Sequence, residues 1–156
     1  MNEVQELIKD WHRNRAKNEE DPFYRFMCHW ICFNAWLDYK SEKYTDREML
    51  NWLKRQTPDT SDIIASYEAM KLTTVGIQNL ESLVAMSPII DSKGRTDIVI
   101  SDVNDRDNII EAIYRIRCNL FHGNKRSSST RDVKLIRCVN FIMTKWMDDL
   151  ISRWNN

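Results

Sequence analysis

Asp21-Pro22-Phe23-Tyr24-Arg25-Phe26-Met27-Cys28-His29-Trp30-Ile31-Cys32-Phe33-Asn34-Ala35-Trp36-Leu37 is the stretch that sets the fold. Asp followed by Pro is a helix-opening pair: the carboxylate caps free backbone N–H groups, and proline at the first helical position lacks an N–H that would go unbonded anyway. Phe23, Met27, Trp30 and Leu37 then recur at helical spacing, with Phe26, Ile31 and Phe33 widening the stripe. An apolar face this wide predicts a central core helix.

The flanking sequence has the same character. Val4, Leu7, Ile8 and Trp11 predict a first amphipathic helix that runs out in the polar, solvated stretch 12–18, with His12, Arg13, Arg15 and Lys17. Thr45 and Glu48 form a capping box ahead of Met49, Leu50, Trp52 and Leu53. Ile63, Ile64, Tyr67 and Met70 predict a helix over 59–71, and a shorter one covers 75–84. Periodicity lapses over 86–104, where Ile98-Val99-Ile100 reads as a brief extended piece in a loop long enough to be functional. Asn104 or Asp105 caps the next helix, with core face Ile109, Ile113, Ile116 and Leu120 and a glycine stop at Gly123. After a polar turn at 127–130, a last helix runs to about Trp154 on Val133, Ile136, Met143, Met147, Leu150 and Trp154. The expectation is one all-α domain over 1–156, a bundle of about five to seven helices whose last two long members form an antiparallel hairpin.

Composition agrees and removes several function classes. Three glycines and three prolines in 156 residues leave few breaks, and 42% hydrophobic with 29% charged residues is a globular balance. Net charge is zero, so the whole molecule has no bulk attraction for polyanions. Locally, seven cations (Arg115, Arg117, Lys125, Arg126, Arg131, Lys134 and Arg137) face one anion, Asp132, which suits either a confined polyanion site or a solvated basic helix end. No apolar run approaches the roughly 20 residues of a membrane span. Cys28, Cys32, Cys118 and Cys138 match no disulfide or zinc spacing, which predicts reduced thiols in a cytoplasmic protein without a metal or other cofactor.

The chemistry concentrates in Tyr114-Arg115-Ile116-Arg117-Cys118-Asn119-Leu120-Phe121-His122-Gly123-Asn124-Lys125. With Ile116 and Leu120 on the buried face, Arg115, Cys118 and His122 fall opposite, and Arg117 lies on the flank beside Phe121. Arginine grips a phosphate through its planar fork, and histidine moves a proton near neutrality. The two suffice for RNA cleavage by attack of a ribose 2′-hydroxyl on the adjacent phosphate. Each residue also has a plainer reading: His122 as a helix C-cap, Arg117 as a surface ion pair, Asn119 as a bond to backbone carbonyls, and Asn34 as architecture on the core stripe.

Arg117-x4-His122 within this string resembles the R-x4-6-H signature of the HEPN superfamily, especially members with an R-N-N-L-F-H-G string. Trp30-Ile31-Cys32-Phe33-Asn34-Ala35-Trp36 is similar to a second hallmark of those members, and the resemblance covers roughly 21–154. It implies a helical, usually dimeric protein whose paired Arg–His motifs meet in a cleft. Many members are metal-independent endoribonucleases in toxin–antitoxin or defence systems; others only dimerise, bind a partner or bind nucleotides. Carried over, Arg117 and His122 are the catalytic pair, with Arg115, Asn119, Lys125 and Asn34 as candidate substrate-binding residues. RNA is the expected substrate, and an antitoxin or nucleotidyltransferase a possible partner. Two departures stand out: Cys118 replaces the usual polar residue after the arginine, and Arg115-x6-His122 also satisfies the spacing.

Overall fold

The computed structural model describes residues 1–90, 93, 96–121 and 129–155. Among these the chain forms seven α-helices: α1 (Glu3–Asp10), α2 (Pro22–Ser41), α3 (Asp46–Lys54), α4 (Asp62–Met70), α5 (Thr74–Ala85), α6 (Arg106–Phe121) and α7 (Thr130–Trp154). The all-α expectation holds, and no described helix is long and apolar enough to cross a membrane.

Local chemistry accounts for the helix starts. Asp21 accepts N–H bonds from Phe23 and Tyr24 ahead of Pro22, and Thr45 and Glu48 complete the expected capping box. Asn2 and Gln5 form a second box at α1. α4 starts three residues later than its apolar pattern suggests. The 57–61 segment closes its own turn through bonds from Thr60 and Ser61 to the Thr57 carbonyl, and the Ser61 hydroxyl caps Ile64. Of the two caps considered for α6, Asp105 is used: it directly precedes Arg106 and its carboxylate accepts the Asn108 backbone N–H, besides the Ser101 N–H at 3.0 Å and the Asn108 side-chain amide at 2.9 Å.

α7 is the axis of the bundle, packing chiefly on α2, α4 and α5, while α6 packs on α3 and α2. The two long C-terminal helices are therefore not each other's main partners, as the expected hairpin required. Each packs more extensively on earlier helices. Trp36, Trp146, Tyr67, Phe26 and Phe33 are the largest fully buried side chains. Phe33 lies 5.4 Å from Trp146, and Trp30 lies 6.0 Å from Tyr114, so α2 bridges α7 and α6 through aromatic contacts. On α2 itself Ile31 is 38% exposed and leaves the core stripe, while Trp36 joins it.

The polar stretch after α1 departs from expectation. Instead of fraying into solvent, the chain continues through a π-helical turn (Trp11–Arg15) and a short 3-10 turn (Ala16–Asn18). Ile8, His12 and Ala16, four residues apart, stay buried through it. His12 Nε2 lies 2.8 Å from Asp148 on α7, and Lys17 meets the same carboxylate at 2.6 Å. The His12 ring is 5.6 Å from that of His29, also buried, whose Nε2 is 3.0 Å from the Thr144 hydroxyl. A solvated basic end is thus a buried histidine pair, because α7 supplies the carboxylate and hydroxyl that make burial tolerable.

The loop after α5 is anchored at both ends. Ile89 and Ile98 exchange both backbone hydrogen bonds in a single antiparallel bridge, which is all that forms of the expected extended piece. Arg131, counted above within the cationic block, donates to the Met86 carbonyl at 2.7 Å and so serves the loop.

Glu111 is 8% exposed and bonded by both Arg47 and Lys54 of α3. Burial alone would raise its carboxyl, but the bonds from Arg47 and Lys54 outweigh that and hold it below the ordinary range. Glu111→Gln keeps the shape and removes the charge, leaving the mostly buried Lys54 without its counter-ion. The expected loss is about 2 kcal/mol, read by urea unfolding; an unchanged midpoint would show that water replaces the pair at no cost.

Candidate functional site

α6 places Arg117 on the flank facing α2. Its guanidinium lies 5.7 Å from the centre of the Trp30 ring and 4.5 Å from that of Phe121. Aromatic faces attract a cation without consuming its N–H groups, so the guanidinium is oriented but not neutralised. Among the described residues no carboxylate pairs with it. Its Nη1 lies 3.9 Å from the Cys118 Sγ, and its Nε is buried without a partner among the described residues. An arginine held this way offers a fixed positive charge to an incoming anion.

His122, Lys125 and Arg126 lie outside the described residues. Arg115 is half-buried and is not a free cation. Asn119 is 3% exposed and donates to the Ile90 carbonyl at 2.8 Å, tying Ile90 to α6. Asn34 sits one turn beyond Trp30 on α2. The sequence placed Asn34 on the core stripe, but it is only half-buried and its side chain bonds no described residue. Its amide remains open to water, so burial does not force a partner on it.

Cys118 corrects the helical-wheel reading, which put it on the face away from the core. It is 8% exposed. α3 covers a second flank of α6, and Glu111, Tyr114 and Cys118, at i, i+3 and i+7, line it. Leu120, expected in the core, is only half-buried. Burial, reinforced by the neighbouring Cys118, pushes the Tyr114 phenol up to about 12, and its hydroxyl donates to Asp46 at 3.3 Å. Arg47 lies over the same ring at 5.8 Å. Two arginines, Arg47 and Arg117, thus flank the Tyr114–Trp30 aromatic pair, one bound to Glu111 and the other without a carboxylate among the described residues.

Sequence reasoning took the tryptophans as core and missed the second role of Trp30 and Phe121, which is to cradle Arg117. Both residues belong to the two strings quoted above, so the signal was adjacency to the motif. Arg47 carried no such signal, lying 70 residues before Arg117 in the chain. All four cysteines are free thiols, and among the described residues no group of three or more His, Cys, Asp or Glu is placed to hold a metal ion. Comparison with protein-family models, curated proteins and solved structures gives no match to this chain.

Proposed function

We propose that the protein is a metal-independent endoribonuclease of HEPN type, acting as a cytoplasmic homodimer in a toxin or defence system. The observation that carries this reading is Arg117, a guanidinium cradled by Trp30 and Phe121 without a neutralising carboxylate among the described residues. Arg117 grips the scissile phosphate and stabilises the charge that builds on its oxygens. His122 takes the proton of the ribose 2′-hydroxyl or returns one to the departing 5′-oxygen. The P–O5′ bond breaks as the 2′-oxygen bonds to phosphorus, leaving a 2′,3′-cyclic phosphate and a 5′-hydroxyl end. Arg115, Lys125 and Arg126 guide the RNA backbone, so binding weakens with salt. An antitoxin or nucleotidyltransferase partner keeps such an activity in check.

A second reading, a non-catalytic HEPN module that dimerises, docks to a partner or binds nucleotide, is favoured by one observation. The position after Arg117 is a buried thiol, and the next amide, Asn119, is committed to the Ile90 carbonyl. Neither presents the polar group that related strings place beside the arginine. Incubation of the purified protein with RNA in EDTA decides between them: cleavage to cyclic-phosphate ends supports the nuclease, and intact RNA at high enzyme concentration supports the module.

A further inference from the structure

α2 is apolar on two sides. Its core stripe, with Phe26, Trp30, Phe33 and Leu37, is buried. On the opposite side Tyr24, Met27, Cys28, Ile31, Ala35 and Asp38 recur at three- and four-residue steps, the spacing with which one helix meets another. No Asp, Glu, Lys or Arg falls anywhere from Phe26 to Leu37. The outward side of α7, the other long helix, instead opens on Arg131, Lys134 and Arg137, all exposed. A helix apolar all round is ordinarily covered all round. Among the described residues this side of α2 stays open: Tyr24 is 62% and Ile31 38% exposed, with Met27, Cys28 and Ala35 half-buried.

We propose that a second copy of this chain covers the stripe, the two α2 helices packing antiparallel about a two-fold axis at Ile31. An antiparallel pair sets residues equally far before and after the pivot against each other. Around Ile31 that brings Met27 onto Ala35, a long flexible side chain over a small one that leaves it room. It also brings the Tyr24 phenol, which bonds no described residue, to the carboxylate of Asp38, which has no ion pair among them. A parallel pair would set Asp38 against Asp38 and Met27 against Met27, like charge on like charge and bulk on bulk. The stripe thus complements itself in size and charge, and only in the antiparallel sense, which favours a second copy over an unrelated partner. From Tyr24 to Asp38 it runs about 21 Å at 1.5 Å per residue. With its flanks, such a contact buries on the order of 1,000 Å² in total, small for a specific interface, so a micromolar dimer is expected. The homodimer is part of the reading proposed above, and this surface rests on that part alone.

Sedimentation equilibrium of the full chain, with circular dichroism to verify folding, tests it. Wild type is expected to show a reversible monomer–dimer equilibrium. Ile31→Glu sets two carboxylates together at the axis and should raise the dissociation constant about hundredfold or more. Ile31 lies outside the core, so that variant should keep its helical spectrum. Leu72→Glu, at an 88% exposed position on the α4–α5 turn, should dimerise like wild type. The register is read in a Cys28→Ser chain with a short bis-maleimide. Ile31→Cys should link, and Tyr39→Cys should not, because its two copies stand about 24 Å apart along antiparallel helices. A wild type that stays monomeric at high concentration overturns the homodimer and this surface together. A dimer that survives Ile31→Glu overturns the surface and leaves the homodimer standing. Equal linking of Tyr39→Cys and Ile31→Cys overturns the antiparallel arrangement. RNA cleavage is scored separately, so failure of the nuclease reading is distinguishable from each of these.

Discussion

His122→Ala is expected to lower RNA cleavage by about 10²–10⁴-fold, the usual contribution of a positioned general acid–base group. The 2′-hydroxyl is a poor nucleophile at neutral pH and the 5′-oxygen a poor leaving group, so a group titrating near neutrality helps both. Arg117→Ala should be comparably damaging, because it removes the charge facing the phosphate. Arg117→Lys separates charge from geometry: an ammonium keeps the sign but loses the planar fork and the fit between Trp30 and Phe121. The expected order of rates is wild type, then Arg117→Lys, then Arg117→Ala, with wild-type activity unchanged by EDTA. Single-turnover cleavage of a defined RNA, alongside melting temperatures for each variant, reads all of this. A His122→Ala protein that cleaves like wild type would remove histidine from the mechanism.

The second large effect is on stability in mild acid. His29 is fully buried. Burial first, then the neighbouring charges of His12 and Arg25, push its imidazole down to about 3. His12 is also lowered, by burial that outweighs its bond to Asp148. In the unfolded chain each ring takes a proton near pH 6.5. Above that pH both states hold neutral rings and no stability is lost. As pH falls below 6.5 the unfolded chain gains protons that the folded one refuses, and the loss grows until the folded pKa is reached. For His29 alone the loss on going from pH 6.5 towards 3 is on the order of 4 kcal/mol, a large share of the 5–15 kcal/mol typical of a domain. The carboxyls of Glu111 and Asp148, both held below their ordinary values by bonds that outweigh burial, add acid sensitivity only at lower pH. The slope between pH 6.5 and 5 therefore isolates the histidines. Urea unfolding across that interval should show stability falling with acid in wild type and falling less steeply in His29→Gln. Equal slopes would show that the buried rings protonate in place.

Much of the bundle was legible because its signals are local. Asp21-Pro22, the Thr45–Glu48 box and the apolar repeats of α2, α3, α4, α6 and α7 each act within one or two turns, where dihedral preferences and capping bonds depend on near neighbours. Gln5 completes a box with Asn2 by the same rule, although Gln5 was not singled out. Boundaries failed where a turn outcompeted the helix, as at 57–61, and burial failed where a distant element intervened. His12 and Lys17 looked like a solvated end until Asp148, more than 130 residues away, met both.

The candidate site divides along the same line. Arg117, His122 and their string stood out because the residues sit together in the chain, and helical spacing already placed Phe121 beside Arg117. That Trp30 supplies the second face, that Cys118 is covered by α3, and that Asn119 is committed to Ile90 depend on contacts across the fold. The sequence by itself determined an all-helical domain and the segment in which to look for chemistry, since both rest on interactions a few residues long. Only the tertiary structure decided which polar groups are buried and which arginine, among the described residues, is left without a carboxylate. Those are outcomes of long-range packing, in which each group's partner is chosen by whichever helix arrives beside it.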